Sequence, residues 1–336
     1  CPKTDFHHRT ITMNIAILNF THIGTLICNL PLIKRIRERY PQAKITLFTC
    51  RRNGVINDII TQQYGVSTIC LNHDLTGFKR YVSIIQLACK FYKKFDIGFC
   101  GLEPRKTDHI ALALLCKESF AYCENNWHSK LITHQIPFTK MGYSYLHQSQ
   151  FCANVAPPST TISPDEWPVF HLQFNKKLLK HKFVLPENEI LIYYSLENNR
   201  ETSTLSESRL LKIIRTLKNN ITFNLIINSS KPIPPSLVKK LTLITNTFPV
   251  QTKEFSEFLE LLSVCDLCLL GDGGTSHIAA ALNIPEVVLF GATSTTNWQP
   301  LSNKSAILFD QFNVNNIPID DIVNAILQKI KSAPSP

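Results

Sequence analysis

Six consecutive residues, Asp272, Gly273, Gly274, Thr275, Ser276 and His277, stand between an apolar run (LCLLG) and an alanine-rich one (IAAAL), and their types suit the capture of an anion. The apolar run reads as a strand ending at Asp272. Gly273 and Gly274 permit a tight turn and close approach by a ligand, and Ser276 suits the cap of the helix that follows. Backbone N–H groups from Gly274 to His277, at the positive end of a helix dipole, would hold a diphosphate without a cation or a lysine. Asp272, at the carboxyl end of its strand, is placed to hydrogen-bond sugar hydroxyls. A structural role is open to the same residues, with Asp272 as a cap and His277 as a buried, hydrogen-bonded helix residue.

The elements that must position this turn alternate between strand and helix. Strand Ile190 to Tyr194, helix Glu207 to Leu217, strand Thr222 to Ile227, helices Pro235 to Leu243 and Glu254 to Ser263, strand Leu267 to Leu270, helix Ser276 to Leu282 and strand Val287 to Phe290 follow in order. The first half has the same rhythm. Strand Asn14 to Phe20 leads through a turn at Thr21 to Gly24 into a helix over Thr25 to Tyr40, in which Pro31 imposes a kink or a late start. Strand Ile45 to Cys50, a helix over Tyr81 to Phe95, strand Phe95 to Cys100 and an Ala- and Leu-rich segment from Asp108 to Cys116 continue it. Prolines 157, 158, 164, 168 and 186 interrupt the alternation. The reading is therefore an N-terminal extension at 1–12, α/β domains at 13–160 and 187–316, a linker at 161–186, and a C-terminal helix at 317–331. Two doubly wound, Rossmann-like domains facing a cleft are expected.

Composition narrows the function. The chain has 336 residues, 44% hydrophobic and 18% charged, as in a folded globular protein. No run approaches the ~20 apolar residues of a membrane span, and residues 1–12 lack the apolar core of a signal peptide. Eleven scattered cysteines, with Cys28, Cys89 and Cys116 among apolar neighbours, read as reduced core residues of a cytoplasmic protein. Cys265 and Cys268 read as part of one strand, on opposite faces. The net charge of +10 is concentrated in residues 1–165, which hold 19 Lys/Arg against 10 Asp/Glu. That half should meet something anionic. Nucleic acid is disfavoured because no nucleic-acid motif accompanies the charge.

The run D-G-G-T-S-H-I-A-A-A-L-N-I-P, then V-V-L-F-G-A-T, then N-W-Q-P, is similar to the signature of glycosyltransferase family nine, the lipopolysaccharide heptosyltransferases. The I-G turn followed by L-P-L-I-K-R-I-R-E-R-Y-P-Q-A-K-I resembles the opening of the same family. The resemblance is strong at 14–50 and 253–300 and weak between. It implies a GT-B fold, with an N-terminal domain for the acceptor and a C-terminal domain for a nucleotide sugar, ADP-heptose by preference. It also implies an inverting transfer with no metal ion or cofactor, and the sequence offers neither a DxD pair nor a compact His/Cys cluster. The acceptor would be an anionic lipopolysaccharide core, reached at the inner membrane surface by a peripheral cytoplasmic protein. Arg51, Arg52, Arg105 and Lys106 are the candidate acceptor contacts.

Two departures from the family pattern bear on mechanism. Where relatives carry Gly-Asp, with the aspartate as base, this chain has Gly24-Thr25, and a threonine hydroxyl does not take up a proton near neutral pH. His22, in the same loop, is one replacement, an imidazole having a reference pKa of about 6.5. Asp108, after a strand and able to face the cleft, is another. A degenerate protein that binds donor or glycolipid without efficient transfer is the alternative. In the loop after the first strand of the second domain, Ser195 and Arg200 stand near the family's donor contacts, and Lys253 to Phe255 should approach the base through backbone. No acidic ribose contact is evident near Ile227 to Ser230.

Overall fold

Strands whose residues are apolar on both faces can only be buried between layers of helix, and this chain has two sets of them. The computed structural model describes residues 12–50, 54–71, 77–198 and 200–332. In chain order the first half gives β1 (Asn14–Leu18), α1 (Ile23–Cys28), α2 (Leu30–Arg39), β2 (Lys44–Cys50), α3 (Gly54–Tyr64), β3 (Ser67–Leu71), α4 (Gly77–Phe91), β4 (Phe95–Cys100), α5 (Lys106–Leu115), β5 (Cys116–Cys123), β6 (His134–Pro137), α6 (Lys140–Ser144) and α7 (Gln148–Ala153). The second half gives α8 (Lys176–Lys182), β7 (Leu191–Ser195), α9 (Glu207–Lys218), β8 (Asn224–Ser229), α10 (Pro235–Thr242), β9 (Thr247–Gln251), α11 (Phe255–Ser263), β10 (Leu267–Gly271), α12 (Gly274–Ala281), β11 (Glu286–Phe290), α13 (Thr295–Trp298), β12 (Ser305–Phe309) and α14 (Ile319–Ser332).

The strands form two six-stranded sheets, ordered β3-β2-β1-β4-β5-β6 and β12-β11-β10-β7-β8-β9, and every pairing is parallel. The chain divides into two compact units, one of residues to His22, Asn29–Tyr143 and Ser149–Ile162, the other of Ile23–Cys28, Ser144–Gln148 and Ser163 onward. In the first, Phe48 meets Phe91 and Phe95 edge-on, with ring centroids 5.9 and 5.4 Å apart. In the second, α9 lays Leu210, Ile213, Ile214 and Leu217 into the core and α14 adds Ile322, Val323 and Ile326.

Several sequence expectations are corrected. The helix read over Thr25 to Tyr40 is two helices, because Pro31 lacks an N–H and is tolerated only in a first turn, which α2 starts afresh. Residues 161–186, expected to link the two domains, include α8, capped by the Asn175 side chain accepting from the Leu178 N–H at 3.1 Å. Cys265 precedes β10 and gives its thiol to the Leu261 carbonyl at 3.1 Å, so the two cysteines do not share a strand. Cys89 is exposed, not core, while Cys28 and Cys116 are buried. Residues 1–11 of the expected extension lie outside the described residues. Among the described residues no helix is long and apolar enough to cross a membrane.

Candidate functional site

In the second sheet the chain runs from β7 outward through β8 to β9, then crosses back to place β10 on the other side of β7. The connections leaving β7 and β10 therefore diverge. The crevice outside their carboxyl ends is where an open parallel sheet binds its ligand. Both connections carry polar residues that meet there. Asp272, 1% exposed, accepts from the Arg200 guanidinium through Oδ2. The Asn198 amide donates to the Asp272 carbonyl at 2.9 Å and to the Ser203 carbonyl at 3.3 Å, and its oxygen takes the Arg200 N–H at 3.0 Å. Burial raises the pKa of the Asp272 carboxyl, against the opposing pull of the Thr293 hydroxyl and Arg200.

The glycines of this turn divide into two kinds. A methyl group added to Gly271 would lie 2.0 Å from the Ser203 carbonyl oxygen, and one on Gly291 would lie 2.3 Å from that of Thr202. These two glycines let the 200–203 segment lie on the ends of β10 and β11. At Gly273 the nearest atom to an added methyl is 3.9 Å away, and at Gly274 it is the Gly24 nitrogen at 3.8 Å. Gly273 has φ 167°, extended backbone open to any residue. Among the described residues nothing requires Gly273 or Gly274 to be glycine.

Gly273, not Ser276, caps α12. Ser276 is fully buried in its first turn and donates its hydroxyl back to the Gly273 carbonyl at 2.8 Å. By helix geometry the N–H groups of the first turn, Gly274 and Thr275 among them, have no partner within α12. His277 is buried beneath. Its Nδ1 lies 3.9 Å from the Cys28 thiol, and a methyl group on Gly24 would come within 3.2 Å of its ring. Burial pushes its pKa down to about 3, with His147 and Arg200 adding to the shift, so the ring is neutral at neutral pH. The segment Ile23–Cys28 thus packs on the second unit, and it brings Gly24, with Thr25 next to it, against the start of α12.

The other donor candidates are spread along the sheet edge. Ser195 ends β7 and gives its hydroxyl to the Glu197 carbonyl at 3.2 Å. Lys253 is exposed beyond β9, its N–H taken by the Glu257 carboxylate at 3.2 Å, and β8 and β7 intervene before β10. Glu197 went unread in the sequence; its carboxylate accepts the Ser230 N–H at 3.0 Å and hydroxyl at 2.9 Å. Burial raises its pKa, but the Ser230 donors together with Lys231 and Ser229 outweigh that and the net shift is down. Asn198 and Thr293 were missed as well, although the second lies in the quoted F-G-A-T. A cavity of about 500 Å³ beside Leu211, Arg215, Lys218 and Leu243 lies at the C-terminal ends of α9 and α10, and none of the Asp272 turn lines it.

In the first unit Asp108 does not face an opening. It is fully buried in the first turn of α5, 3.6 Å from the Arg80 guanidinium, with burial raising its pKa against Arg105 and Arg80. His22 is exposed and immediately precedes α1. Arg105 and Lys106 are exposed at the start of α5, and the Lys106 ammonium sits 5.1 Å from the Trp127 ring and 5.6 Å from that of Tyr81. Arg51 and Arg52 lie outside the described residues. Among the described residues no group of three His, Cys, Asp or Glu side chains is placed to hold a metal ion.

Residues 247–318, which contain the Asp272 turn, match the family model "Glycosyltransferase family 9 (heptosyltransferase)". Here the chain resembles glycosyltransferase family 9. A curated relative, the lipooligosaccharide heptosyltransferase 2 of Haemophilus influenzae, is 33% identical over 75 residues, which is 19% of this chain and 22% of that enzyme. The match thus spans under a quarter of the relative's length. Over the whole chain the likeness is one of fold. A family 9 glycosyl transferase from Veillonella parvula superposes with TM-score 0.76 at 13% identity, covering 96% of this chain and 98% of that one. The E. coli ADP-heptose lps heptosyltransferase II superposes with TM-score 0.72 at 14% identity, covering 95% and 99%. The GT-B fold expected from the sequence is the fold observed.

Proposed function

We propose that the chain is an inverting, heptosyltransferase-type glycosyltransferase that moves heptose from ADP-heptose to an anionic lipopolysaccharide core acceptor. One observation carries the reading: Gly273 and Gly274 are small where the described residues leave room, beside helix N–H groups that have no partner within α12 and a buried Asp272 paired with Arg200. A diphosphate against the start of α12 accounts for both glycines. Arg200, half exposed, has five N–H donors, and holding Asp272 leaves capacity for a phosphate oxygen. Thr275, Ser276 and His277 complete the turn, with neutral His277 as a support beneath it. Ser195 contributes its hydroxyl and Lys253 its backbone. Glu197, whose two oxygens each accept one bond, holds the ribose hydroxyls.

In transfer the acceptor oxygen attacks the anomeric carbon, the bond from that carbon to the phosphate oxygen breaks, and the nucleoside diphosphate leaves with the electron pair. Negative charge then grows on the leaving oxygen, where the α12 N–H groups and Arg200 stabilise it. The acceptor proton goes to the base. Thr25 borders the donor turn but has no basic group, and Asp108 is sealed beneath Arg80, so His22 is assigned the proton. Arg105 and Lys106, with Arg51 and Arg52, bind the acceptor's phosphates or carboxylates at the inner membrane surface, where the protein works from the cytoplasmic side. Calorimetric titration with ADP tests the donor half: submillimolar binding that Arg200→Ala weakens supports it, and no binding refutes it.

A further inference from the structure

Helix α4 has apolar side chains on two opposite faces. Ile84, Leu87 and Ala88 are buried in the first unit, and Phe91 packs on Phe48. On the other side Phe78 is 81% exposed, Ile85 57% and Val82 36%, and Cys89 is exposed as well. Spacings of four, three and four place these residues in one stripe. Scattered exposed apolar residues need no explanation, whereas a stripe of three along one helix face does. The Arg80–Asp108 pair holds the helix from its inner side, so the stripe is fixed outward.

Charge identifies the occupant. Lys79 and Lys90 lie along one edge of the stripe and Lys94 follows it, all exposed, and no Asp or Glu occurs from Gly77 to Phe95. The Lys90 and Lys94 ammonium groups lie 5.3 and 5.8 Å from the Phe91 ring. An apolar stripe whose own helix carries cations and no carboxylate matches an anionic bilayer, with rings and branched side chains among the acyl chains and ammonium groups at the headgroups. A second copy of the chain would set Lys79 and Lys90 against themselves across a twofold axis. We infer that the outer face of α4, built on Phe78, Val82 and Ile85 and bordered by Lys79 and Lys90, docks the protein on an anionic phospholipid surface. This extends the peripheral-membrane reading above, but its test requires no transfer.

The full chain is sedimented with vesicles of phosphatidylglycerol and phosphatidylethanolamine, and with phosphatidylcholine alone, at low and physiological salt. The wild type should bind the anionic vesicles and scarcely the neutral ones. Phe78→Ser with Ile85→Ser, both at exposed positions and checked by thermal melting, should weaken partition by roughly tenfold or more at either salt concentration. Lys79→Gln with Lys90→Gln should weaken it about fivefold per lysine and flatten its salt dependence. Failure to bind anionic vesicles, or equal binding by the folded variants, overturns the inference. So does a wild-type dimer that Phe78→Ser with Ile85→Ser turns into a monomer while lipid binding persists.

Discussion

Gly271→Ala and Gly274→Val should separate a packing glycine from a ligand glycine three residues away. The alanine methyl at 271 would sit 2.0 Å from the Ser203 carbonyl oxygen, a backbone atom that retreats only if the 200–203 segment lifts. Overpacking of this kind costs about 1–3 kcal/mol, which lowers the melting temperature by roughly 2–4 °C per kcal/mol for a domain of this size. At Gly274 the first atom of the new side chain meets only the Gly24 nitrogen at 3.8 Å, and the site is exposed. Gly274→Val should therefore melt within ~0.5 kcal/mol of wild type. It should nevertheless cost the diphosphate one charge-assisted hydrogen bond or more, about 1.5–3 kcal/mol, or roughly ten- to a hundredfold in the ADP dissociation constant. Differential scanning fluorimetry and calorimetry read the two effects separately. If Gly274→Val binds ADP like wild type, or melts as far below it as Gly271→Ala, the division of the glycines is wrong.

Replacing His22 with Ala should lower turnover by about 10²–10⁴-fold, the usual contribution of a general base, with donor affinity unchanged, and Thr25→Asp should restore much of the loss; equal turnover of His22→Ala and wild type would remove the base assignment. Glu286 is buried with its pKa raised to about 8, so it folds as the neutral acid and gives its proton up on unfolding above pH 4.5. Stability should then fall by about 1.4 kcal/mol per unit from pH 4.5 towards 8 on this account, and Glu286→Gln should flatten the slope and raise the melting temperature at pH 7; an unchanged slope in denaturant melts would contradict this. Arg105→Gln with Lys106→Gln should raise the KM for an anionic acceptor at low salt and leave it nearly unchanged at high salt; a KM difference independent of salt would count against electrostatic recognition.

What the sequence disclosed depended on how local the signal was. The strand-turn-helix at Asp272 was legible because apolar run, glycines and alanine-rich helix are contiguous, and its family match falls on the same residues. Strands β5 and β9 went unread. Their sequences, CKESFAYC and TFPVQ, mix polar residues or a proline into the pattern, and the sheet decides their state through pairing with β4 and β8. Asn198, Ser203 and Thr293 escaped notice because their contacts with Asp272 or Gly271 are made across loops. The pairing of buried Asp108 with Arg80 of another helix is one that no spacing within residues 100–116 discloses. Ser276 was misplaced by a single turn, since a helix can start on a glycine such as Gly273 at only a small cost relative to a serine.

The mass of the acceptor measures transfer of a sugar to a glycolipid directly. Purified protein is incubated with ADP-heptose and deep-rough lipooligosaccharide, and the acceptor is followed by mass spectrometry alongside the release of ADP. A gain of one heptose residue per acceptor, with an equal amount of ADP formed and both lost in Arg200→Ala, is the predicted result. An unchanged acceptor mass while ADP still binds the wild-type protein would contradict the account.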